Sequence, residues 1–393
     1  MTKKFLAMVF AMVFMGAPMA SRAEEGAPLD AGSLIIGHVT DAHSWHLFDY
    51  KSKDGKEHSV AIPLPVIIID NGHLEVFMSS KFHHGHAVYQ GKNHTFALVG
   101  GGLTKEEIVC VEPLEGCEVP ENAYMDGEGH LYQRVLKPGK GEVKPIDLSI
   151  TKTSAAIMIA VVLLIVIVMV AKNGYKKRPN QAPRGLQSLV EMLVVFVRDD
   201  IVRPMIGEKH YRKYLPYLLT LFFFIFFCNI LGLIPIFPAG ANISGSLAVT
   251  ATLALITFFI TNISGNKHYW TDIFNTPGVP AWLKVFPLMP LVELVGVFTK
   301  PIVLMIRLFA NMTAGHIVIL GFIVIIYIMS QLFGTMVGGA VSVVSVFFCV
   351  FISLLECLVA YLQAFVFTML SALYIGMAVE EPEHEEKASV VEA

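Results

Sequence analysis

The chain has 393 residues, of which 54% are hydrophobic and only 16% are charged, and its mean hydropathy is +0.61. This balance is typical of an integral membrane protein. The formal net charge of -3 at pH 7 excludes the strongly basic surface that nucleic-acid binding needs. Charged residues are concentrated in residues 1–150, between Lys172 and Lys213, and in residues 380–393, so the membrane part is predicted to lie between these blocks.

The chain begins with the features of a secretory signal peptide. Lys3 and Lys4 precede an apolar run, Phe5–Met15, which is too short to cross a bilayer, and a small-residue pattern ends at Ala23. We therefore predict a signal peptide over residues 1–23, with an uncleaved membrane anchor as the alternative. Cleavage after Ala23 would place the following residues outside the cytoplasm.

Residues 24–149 are predicted to form a small β-rich domain on the periplasmic side of the membrane. They contain ten of the fourteen histidines of the chain. The run Ser59–Asp70 is rich in β-branched residues and is broken by Pro63 and Pro65, and Asn71-Gly72 then provides a tight turn into Leu74–Met78. This pattern predicts a β-hairpin.

The cysteines and histidines of this domain leave alternatives open. Cys110 and Cys117 are close in sequence and would lie in an oxidising compartment, which permits a disulfide. Two histidine groups have spacings that metal sites also use, but no carboxylate or cysteine completes a recognisable ligand set. Surface or proton-collecting histidines are the simpler interpretation, and we predict neither a metal nor a cofactor. The groups are His43 with His46, and His83 with His84 and His86.

The first predicted membrane span is Thr153–Ala171, which contains no charge. A cluster of Lys and Arg residues follows from Lys172 onward, and this cluster predicts that the span ends in the cytoplasm. The next segment, Gln187–Ile206, has apolar residues at helical spacing that are interrupted by charges. It is predicted to be an amphipathic helix at the cytoplasmic interface.

Two further apolar stretches, Tyr214–Ile236 and Gly245–Ser264, are predicted to form a membrane hairpin around a turn at Pro238–Ser244. The hairpin runs out across the membrane and back. The loop that follows, Gly265–Lys284, contains charges and helix breakers and is predicted to be cytoplasmic.

The last two apolar segments are too long to span the membrane upright. Leu291–Leu332 would reach about 63 Å as an α-helix, whereas a hydrocarbon core is ~30 Å thick. Either the helix breaks, for example at Pro301, or it lies steeply inclined. Ala340–Val379, after a predicted turn at Phe333–Gly339, poses the same problem. Two overlong neighbours favour a tilted hairpin.

Arg307 places a charge inside an otherwise apolar segment. An arginine at membrane depth costs at least ~2.5 kcal/mol, so it requires a partner, a wet cavity or a function. Asn311 lies one helical turn further on the same face, while His316 lies about half a revolution around the helix from Arg307. The polar side chains of this helix therefore point in two different directions.

Other polar residues share faces of the same two segments. Glu293, Lys300 and Arg307 are seven residues apart, and so are Glu356 and Gln363 on the second segment. Groups that accept, pass or hold a proton at lipid depth are what a proton path needs. An ion pair between Arg307 and Glu356 that only fixes helix packing is the alternative.

Five segments of this region resemble subunit a of the F-type ATP synthase, the stator part of its proton channel. The likeness covers about residues 150–380, and the N-terminal domain is longer than in most members of the family. The segments are QSLVEMLVVFV at 187–197, NILGLIP at 229–235, LVELVGVFTKPIVLMI at 291–306, RLFANMTAGH at 307–316 and ECLVAYLQAFVFTMLSALYIGMA at 356–378.

The resemblance implies an all-α polytopic membrane protein with about five membrane helices and an interfacial amphipathic helix, preceded by the small β-rich domain. The last two helices would be long and steeply tilted. Arg307 would face the rotating ring of c subunits and act on its proton-carrying carboxylate, with Asn311 and Gln363 ordering the arginine or its waters. His316 and Glu356 would line the inlet half-channel from the outer side.

Three further residues take roles from the same resemblance. Glu293 matches an acidic position of the outlet half-channel toward the cytoplasm, and Lys300 matches a position that could be structural. Asn242 is added as a candidate for the inlet. The segment NISGS at 242–246 stands where many members carry an acidic residue, which leaves open which side chain of this loop joins the path.

The resemblance also implies partners and a location. The partners would be the c ring, the peripheral stalk subunit b and other ATP synthase subunits, and the chain would cross the bacterial inner membrane several times. The acidic tail 381–393 would be disordered and cytoplasmic. The chain would not be an enzyme, because it has no Walker loop or nucleotide-binding fingerprint, and ATP would be made elsewhere in the complex.

Three other functions remain as alternatives. An ion-coupled secondary transporter would normally show internal repeats, and the sequence has none that we recognise. A membrane anchor for the exported domain would use Arg307 only for packing. The same stator role with sodium as the coupling ion is decided mostly by ligands on the c subunit.

Overall fold

Two regions of different secondary structure follow one another along the chain, with mainly strands up to Asp147 and α-helices from Lys152 onward. The predicted signal peptide and acidic tail lie outside the described residues. The computed structural model describes residues 31–51, 57–85, 87–101, 104–114, 124–125, 130–137, 141–142, 144–177, 181–234, 240–274 and 288–380.

The chain divides into two compact units. The first unit consists of Met1–Met158, Ile234–Ala241 and Gly315–Ser353. The second unit consists of Ile159–Leu233, Asn242–Ala314 and Leu354–Ala393.

The N-terminal region is built from short antiparallel strands. A helix that the β pattern did not predict, α1 (Ala31–Val39), precedes them. The described strands are β1 (Ser44–Lys51), β2 (Glu57–Pro63), β3 (Pro65–Asp70), β4 (His73–Met78), β5 (Tyr89–Gln90), β6 (Thr95–Gly101), β7 (Thr104–Pro113), β8 (Tyr124–Met125), β9 (Leu131–Arg134), β10 (Leu136–Lys137), β11 (Gly141–Glu142) and β12 (Ile146–Asp147). They pair in the orders β1-β2, β10-β11, β12-β3-β4 and β5-β6-β7-β9-β8.

The hairpin of β3 and β4 confirms the sequence prediction. The two residues between the strands, Asn71 and Gly72, have positive φ angles of 47° and 84°. Asn and Gly tolerate this left-handed conformation, which a tight two-residue hairpin turn requires. The break that Pro63 and Pro65 predicted within the run Ser59–Asp70 is also confirmed, because β2 ends at Pro63 and β3 begins at Pro65. Proline lacks an N–H donor and so interrupts a strand ladder. As a result β2 pairs with β1, whereas β3 pairs with β4 and β12.

The central strands β6 and β7 bury both of their faces. Successive residues of a strand point to opposite faces, so each face can contribute to a separate core. The first core contains Val66, Ile68, Phe77, Phe82, Phe96, Leu98, Ile108 and Cys110. The second contains Ala97, Val109 and Val111.

The helical region confirms the predicted membrane fold. Among the residues that the structure describes, five helices are long and apolar enough to cross a membrane. The described helices are α2 (Lys152–Lys177), α3 (Leu186–Phe196), α4 (Arg203–Ile206), α5 (Tyr211–Leu233), α6 (Leu247–Ser264), α7 (Lys267–Phe274), α8 (Leu288–Phe333) and α9 (Thr335–Val379). The five that could cross a membrane are α2, α5, α6, α8 and α9.

The predicted amphipathic segment forms α3 and α4, joined by a π-helical turn at Val197–Val202 that the sequence pattern did not predict. The turn buries its apolar residues and leaves its charged residues at the surface. Arg198 donates to Asp199 with an Nη2 to Oδ2 distance of 2.7 Å, and Arg203 donates to the same carboxylate at 3.2 Å. The hydrogen bond from Arg198, together with that from Arg203, lowers the pKa of Asp199 to about 2.

Each of the last two helices is unbroken. Pro301 lies inside α8 without ending it, so the alternative of a helix break at this proline is wrong. The turn between α8 and α9 is also shorter than predicted, because only Gly334 separates them instead of Phe333–Gly339. The φ angle of Gly334 is 86°, a left-handed conformation that glycine adopts without strain and that ends a helix sharply.

One apolar core holds the helices of the second unit together. At one point of this core α9 approaches α4 so closely that a Cβ atom on Gly376 would overlap the backbone carbonyl of Met205. Small residues permit such close approach of helix backbones. The fully buried residues of the core are Val197, Ile201, Val202, Leu218, Phe222, Leu308, Ala360, Ala364, Ala372 and Ile375.

Candidate functional site

The helix α8 has a buried face and an exposed face around Arg307. Leu304, Leu308 and Met312 are four residues apart, and each is at most 1% exposed. This stripe therefore packs into the core. Arg307 and Asn311 are also four residues apart, and both lie on the exposed face.

The side chain of Arg307 has no hydrogen-bond or ion-pair partner among the described residues. An ion pair with Glu356, which would have given the arginine a packing role, is not formed. The backbone of Arg307 is held instead, because the buried Gln363 donates from Nε2 to the Arg307 carbonyl oxygen at 3.3 Å. This hydrogen bond joins α8 to α9 and leaves the guanidinium group at the surface.

The exposed surface around Arg307 is apolar. Val303 and Ile306 are exposed on α8, and Leu358 and Leu362 are exposed on α9. Exposed apolar side chains are expected of helices in lipid, whereas a guanidinium group among them is not. The site therefore presents a permanent positive charge on a surface that otherwise suits lipid or an apolar partner.

Another side of α9 carries buried polar groups. Glu356 is only 4% exposed, and one helical turn further on the carbonyl oxygen of Ala360 accepts a hydrogen bond of 3.2 Å from Asn229 Nδ2 on α5. Asn229 is buried, and its Oδ1 has no hydrogen-bond partner among the described residues. Sequence reasoning did not single out Asn229 as a site residue. A polar amide inside an apolar span that is rich in aromatic residues could have identified it.

Asn242 is buried and shapes the turn before α6. Its Oδ1 accepts a hydrogen bond of 2.9 Å from the backbone N–H of Gly245, three residues further on, and α6 begins two residues later at Leu247. The Gly245 carbonyl accepts from Thr313 Oγ1 on α8 at 3.4 Å. Asn242 is thus linked to α8 through the backbone, and its Nδ2 has no partner among the described residues.

A small cleft between α6, α8 and α9 is lined by apolar side chains together with several polar ones. Lys300 lies in it, with Nζ 5.3 Å from the centroid of the Tyr374 ring, and Thr257 and Thr261 of α6 contribute to its wall. Sequence reasoning missed the two threonines, although their spacing of four residues on an apolar span was a usable signal. Glu293 lies on the exposed surface of α8 and does not line this cleft.

His316 is half-buried on α8. It belongs to the first compact unit, whereas Glu356 belongs to the second. A shared inlet path of these two residues therefore stays a prediction.

Five long apolar helices with an arginine, a buried glutamate and several amides inside them define a polytopic membrane protein with a polar site among its helices. Residues 154–376 match the family described as ATP synthase A chain. This match covers more than half of the 393 residues, and the chain therefore belongs to the ATP synthase A chain family. The predicted resemblance to subunit a of the F-type ATP synthase is confirmed.

Curated proteins named ATP synthase subunit a are similar to this chain. One from Pelodictyon phaeoclathratiforme is 43% identical over 266 residues, which cover 66% of this chain and 72% of that protein. One from Chlorobaculum tepidum, named subunit a 2, is 47% identical over 243 residues, covering 60% and 65%. One from Chlorobium phaeobacteroides is 37% identical over 310 residues, covering 72% and 86%. Residues 34–131 match a second family, described as a domain of unknown function (DUF8433).

Proposed function

We propose that this chain is the stator proton-channel subunit of a rotary F-type ATP synthase and that Arg307 is the residue that acts on the ring of c subunits. One observation carries the proposal. Arg307 is exposed on an apolar helical face and has no partner among the described residues of its own chain. A charge at membrane depth needs a partner, and a carboxylate on another subunit would supply it.

The chemistry of the guanidinium group suits this role. It stays charged at every relevant pH, and a nearby positive charge lowers the pKa of a carboxylate. A protonated ring carboxylate that reaches Arg307 would therefore release its proton. The fixed charge would also block direct proton leakage between the two half-channels. Gln363 holds the backbone of Arg307 and so fixes where the charge stands, while Asn311 lies beside it on the same face.

The inlet path is assigned to Glu356 and His316, with Asn242 at the turn before α6. Support comes from burial, because Glu356 is 4% exposed and can pass a proton only to a neighbouring group or to water. Asn229 of α5 donates to the Ala360 carbonyl, one helical turn after Glu356 on α9, and presents a buried Oδ1 without a described partner. Such an atom is a natural site for an ordered water on a proton path.

The outlet path is assigned to Glu293 and to the cleft that contains Lys300. Among the residues that line the cleft, Thr261 and Tyr374 carry hydroxyl groups that can hold water or pass a proton, whereas the Thr257 hydroxyl is already hydrogen-bonded to Tyr217 and to the Leu253 carbonyl. The cleft itself would be a water-filled access route, and Glu293 would collect the proton at the surface of α8.

The length of the helices supports an inclined arrangement in the membrane. The 46 residues of α8 form one helix about 69 Å long, more than twice the ~30 Å of a hydrocarbon core. A steep tilt would keep Arg307 and its neighbours at similar depth. Lys172, Lys176 and Lys177 at the end of α2 favour a cytoplasmic position for this end of the helix in the bacterial inner membrane. The β-rich domain before α2 would then be periplasmic, and five spans would place the C-terminus in the cytoplasm.

In this assignment the chain performs no covalent chemistry and binds no nucleotide. Its partners are the c ring, the peripheral stalk subunit b and the other ATP synthase subunits. Membership of the ATP synthase A chain family argues against a self-contained secondary transporter. Coupling to sodium instead of protons is the variant that the experiment has to separate.

ATP-driven pumping and passive proton permeability in inverted membrane vesicles test the proposal. We expect Arg307→Ala to abolish pumping while the complex still assembles, and we expect pumping to be insensitive to sodium. The matched control is Arg198→Ala, a half-exposed arginine of the π-helical turn that already pairs with Asp199. The control variant should pump normally.

Normal coupled pumping in an assembled Arg307→Ala complex would contradict the proposal and return this residue to a packing role. Pumping that requires sodium would replace the proton by sodium as the coupling ion.

A further inference from the structure

Three side chains that can bind metals meet at one edge of the core of the β-rich domain. Asp70 ends β3, His94 immediately precedes β6, and Cys110 lies on β7. Their ligand atoms, a carboxylate oxygen, an imidazole nitrogen and the thiol sulfur, all lie within 4.8 Å of one another. Among the described residues, these side chains are the one group of three with this arrangement.

The strand register explains why they converge. Cys110 of β7 pairs with Phe96 of β6, and His94 lies two residues before Phe96. The side chains of Cys110, Phe96 and His94 therefore lie on one face of the sheet. Asp70 lies two residues after Ile68 on β3, and Ile68 belongs to the same core as Cys110. Three donors therefore replace apolar side chains at the edge of this core.

Hydrogen bonds fix the two turns that carry Asp70 and His94. His94 Nδ1 and Asp70 Oδ2 are 2.7 Å apart, and Asn93 Nδ2 donates to the Asp70 carbonyl at 3.3 Å. The backbone N–H of Lys92 donates to the Glu75 carboxylate at 2.7 Å. Ligands on such a fixed scaffold need little further ordering when a metal binds.

The burial of the three side chains is uneven. Asp70 and Cys110 are 3% and 1% exposed, whereas the side chain of His94 is 17% exposed. His94 lies beside the Asp70 carboxylate and can balance that single charge, but a Cys110 thiolate would add a second negative charge at the edge of an apolar core. A bound cation would compensate this second charge. The partly exposed imidazole marks the side from which an ion and a solvent ligand can enter.

We propose that Asp70, His94 and Cys110 bind a divalent transition-metal ion of the zinc type. Thiolate, imidazole and carboxylate together suit this borderline cation, and a fourth ligand from solvent would complete a tetrahedral site. Binding replaces the thiol proton and any proton held between His94 and Asp70, so protons are released to solvent as the metal enters. The site needs Cys110 as a thiolate and is therefore incompatible with the disulfide to Cys117 that the sequence left open. Cys117 lies outside the described residues.

Cobalt(II) is the probe that tests this site, because a cobalt–thiolate bond gives a near-ultraviolet charge-transfer band. Full-length protein purified in detergent is titrated with Co²⁺ and then with competing Zn²⁺. We expect the band in the wild-type chain, its loss in Cys110→Ser, and metal affinity at least about tenfold weaker in His94→Gln and Asp70→Asn. Matched controls are His73→Gln, an exposed histidine of β4, and Cys228→Ser, a buried cysteine of α5, both of which should keep the band.

The absence of the band in folded wild-type protein overturns the proposal, and so does its persistence in Cys110→Ser. A Cys110–Cys117 disulfide, detected by peptide mass spectrometry in protein isolated without reductant, overturns it as well. The absence of the band in the wild-type protein is decisive by itself, so the proposal can be overturned whether or not every variant folds.

Discussion

In the β-rich domain, buried charges meet their partners within the same fold. The Nε2 atom of His43 lies 3.0 Å from Asp147 Oδ2, its Nδ1 lies 3.5 Å from Glu106 Oε2, and His94 lies 2.7 Å from Asp70. On α8 the Arg307 guanidinium group stands exposed on an apolar face, and no described side chain pairs with it.

The contrast separates two uses of charge. A closed pair such as His43 and Asp147 stabilises one arrangement of its own chain, and its effect is read in folding free energy. A charge such as Arg307 that lacks a described partner does little for the fold and is available to a second molecule. Substitutions in the first region should therefore change stability, whereas those around Arg307 and Glu356 should change transport.

The largest expected effect is on transport through Glu356. Glu356→Gln keeps the shape of the side chain but removes the group that accepts and gives up a proton. We expect ATP-driven pumping to fall by about 100-fold, since proton transfer by a positioned group contributes effects of this order. The pumping rate is measured in vesicles that contain the assembled complex. An unchanged rate would mean that Glu356 contributes to packing and not to transport, as buried charges of the β-rich domain do.

A helix contact in the second unit should be sensitive to a single methyl group. Gly376→Ala places a Cβ atom against the Met205 carbonyl, so α4 must move from α9 at a cost of about 2 kcal/mol. Gly321→Ala is the matched control, because a Cβ atom there meets nothing within 4 Å. Thermal unfolding of the purified chain in detergent compares the two, and equal midpoints would contradict the close approach.

The His43 pair should give a stability effect that depends on pH. Burial alone would lower the pKa of His43, but its hydrogen bond to the Asp147 carboxylate and the nearby Glu106 carboxylate raise it to about 9, while the pKa of Asp147 falls to about 2. Because the folded-state pKa of His43 is raised above 6.5, its stabilisation is complete below pH 6.5 and is lost as pH rises through about 9. The contribution of Asp147 is lost only as pH falls from its usual 3.8 toward about 2.

Hydrogen exchange of β3 and β12 in the full-length protein measures this pair. At pH 6 we expect His43→Gln to lower the opening free energy by about 1.5 kcal/mol, with a smaller difference above pH 9. His73→Gln, an exposed histidine of β4, serves as the control and should match the wild type. A difference that does not change with pH would mean that the His43 charge contributes nothing.

The smallest expected effect is at Gln363. This residue is buried in the protein and also holds the backbone of Arg307, so its substitution can change either stability or transport. Gln363→Leu removes the 3.3 Å hydrogen bond to the Arg307 carbonyl but keeps the guanidinium group. The loss is about 1 kcal/mol, which corresponds to about a fivefold lower pumping rate if it acts on the position of Arg307. Proton pumping and thermal unfolding together decide the matter, since a change in stability alone would place Gln363 with the packing residues.

Local patterns in the sequence predicted local structure well. The Asn71-Gly72 turn required only the φ angles of two neighbouring residues, and the shared face of Arg307 and Asn311 required only the period of a helix. The five spans followed from composition over windows longer than any turn. The length of the turn at Gly334 was wrong because apolar residues on both sides gave no sign of where the helices end.

Arrangements that depend on distant residues were not predicted. The cleft around Lys300 joins threonines of α6 to Tyr374 of α9, and nothing in either segment identifies the other. The convergence of Asp70, His94 and Cys110 joins side chains that are at least sixteen positions apart in the sequence, and only the register of the strands brings them together.

The sequence by itself determined the class of protein, the five spans and the chemistry of Arg307, because hydropathy and helical period depend only on neighbours along the chain. The tertiary structure decided that Glu356 is buried, that Arg307 has no described partner and that Gln363 holds its backbone. These properties depend on which helix faces pack together, and packing is settled by the complementary shapes of side chains far apart in sequence.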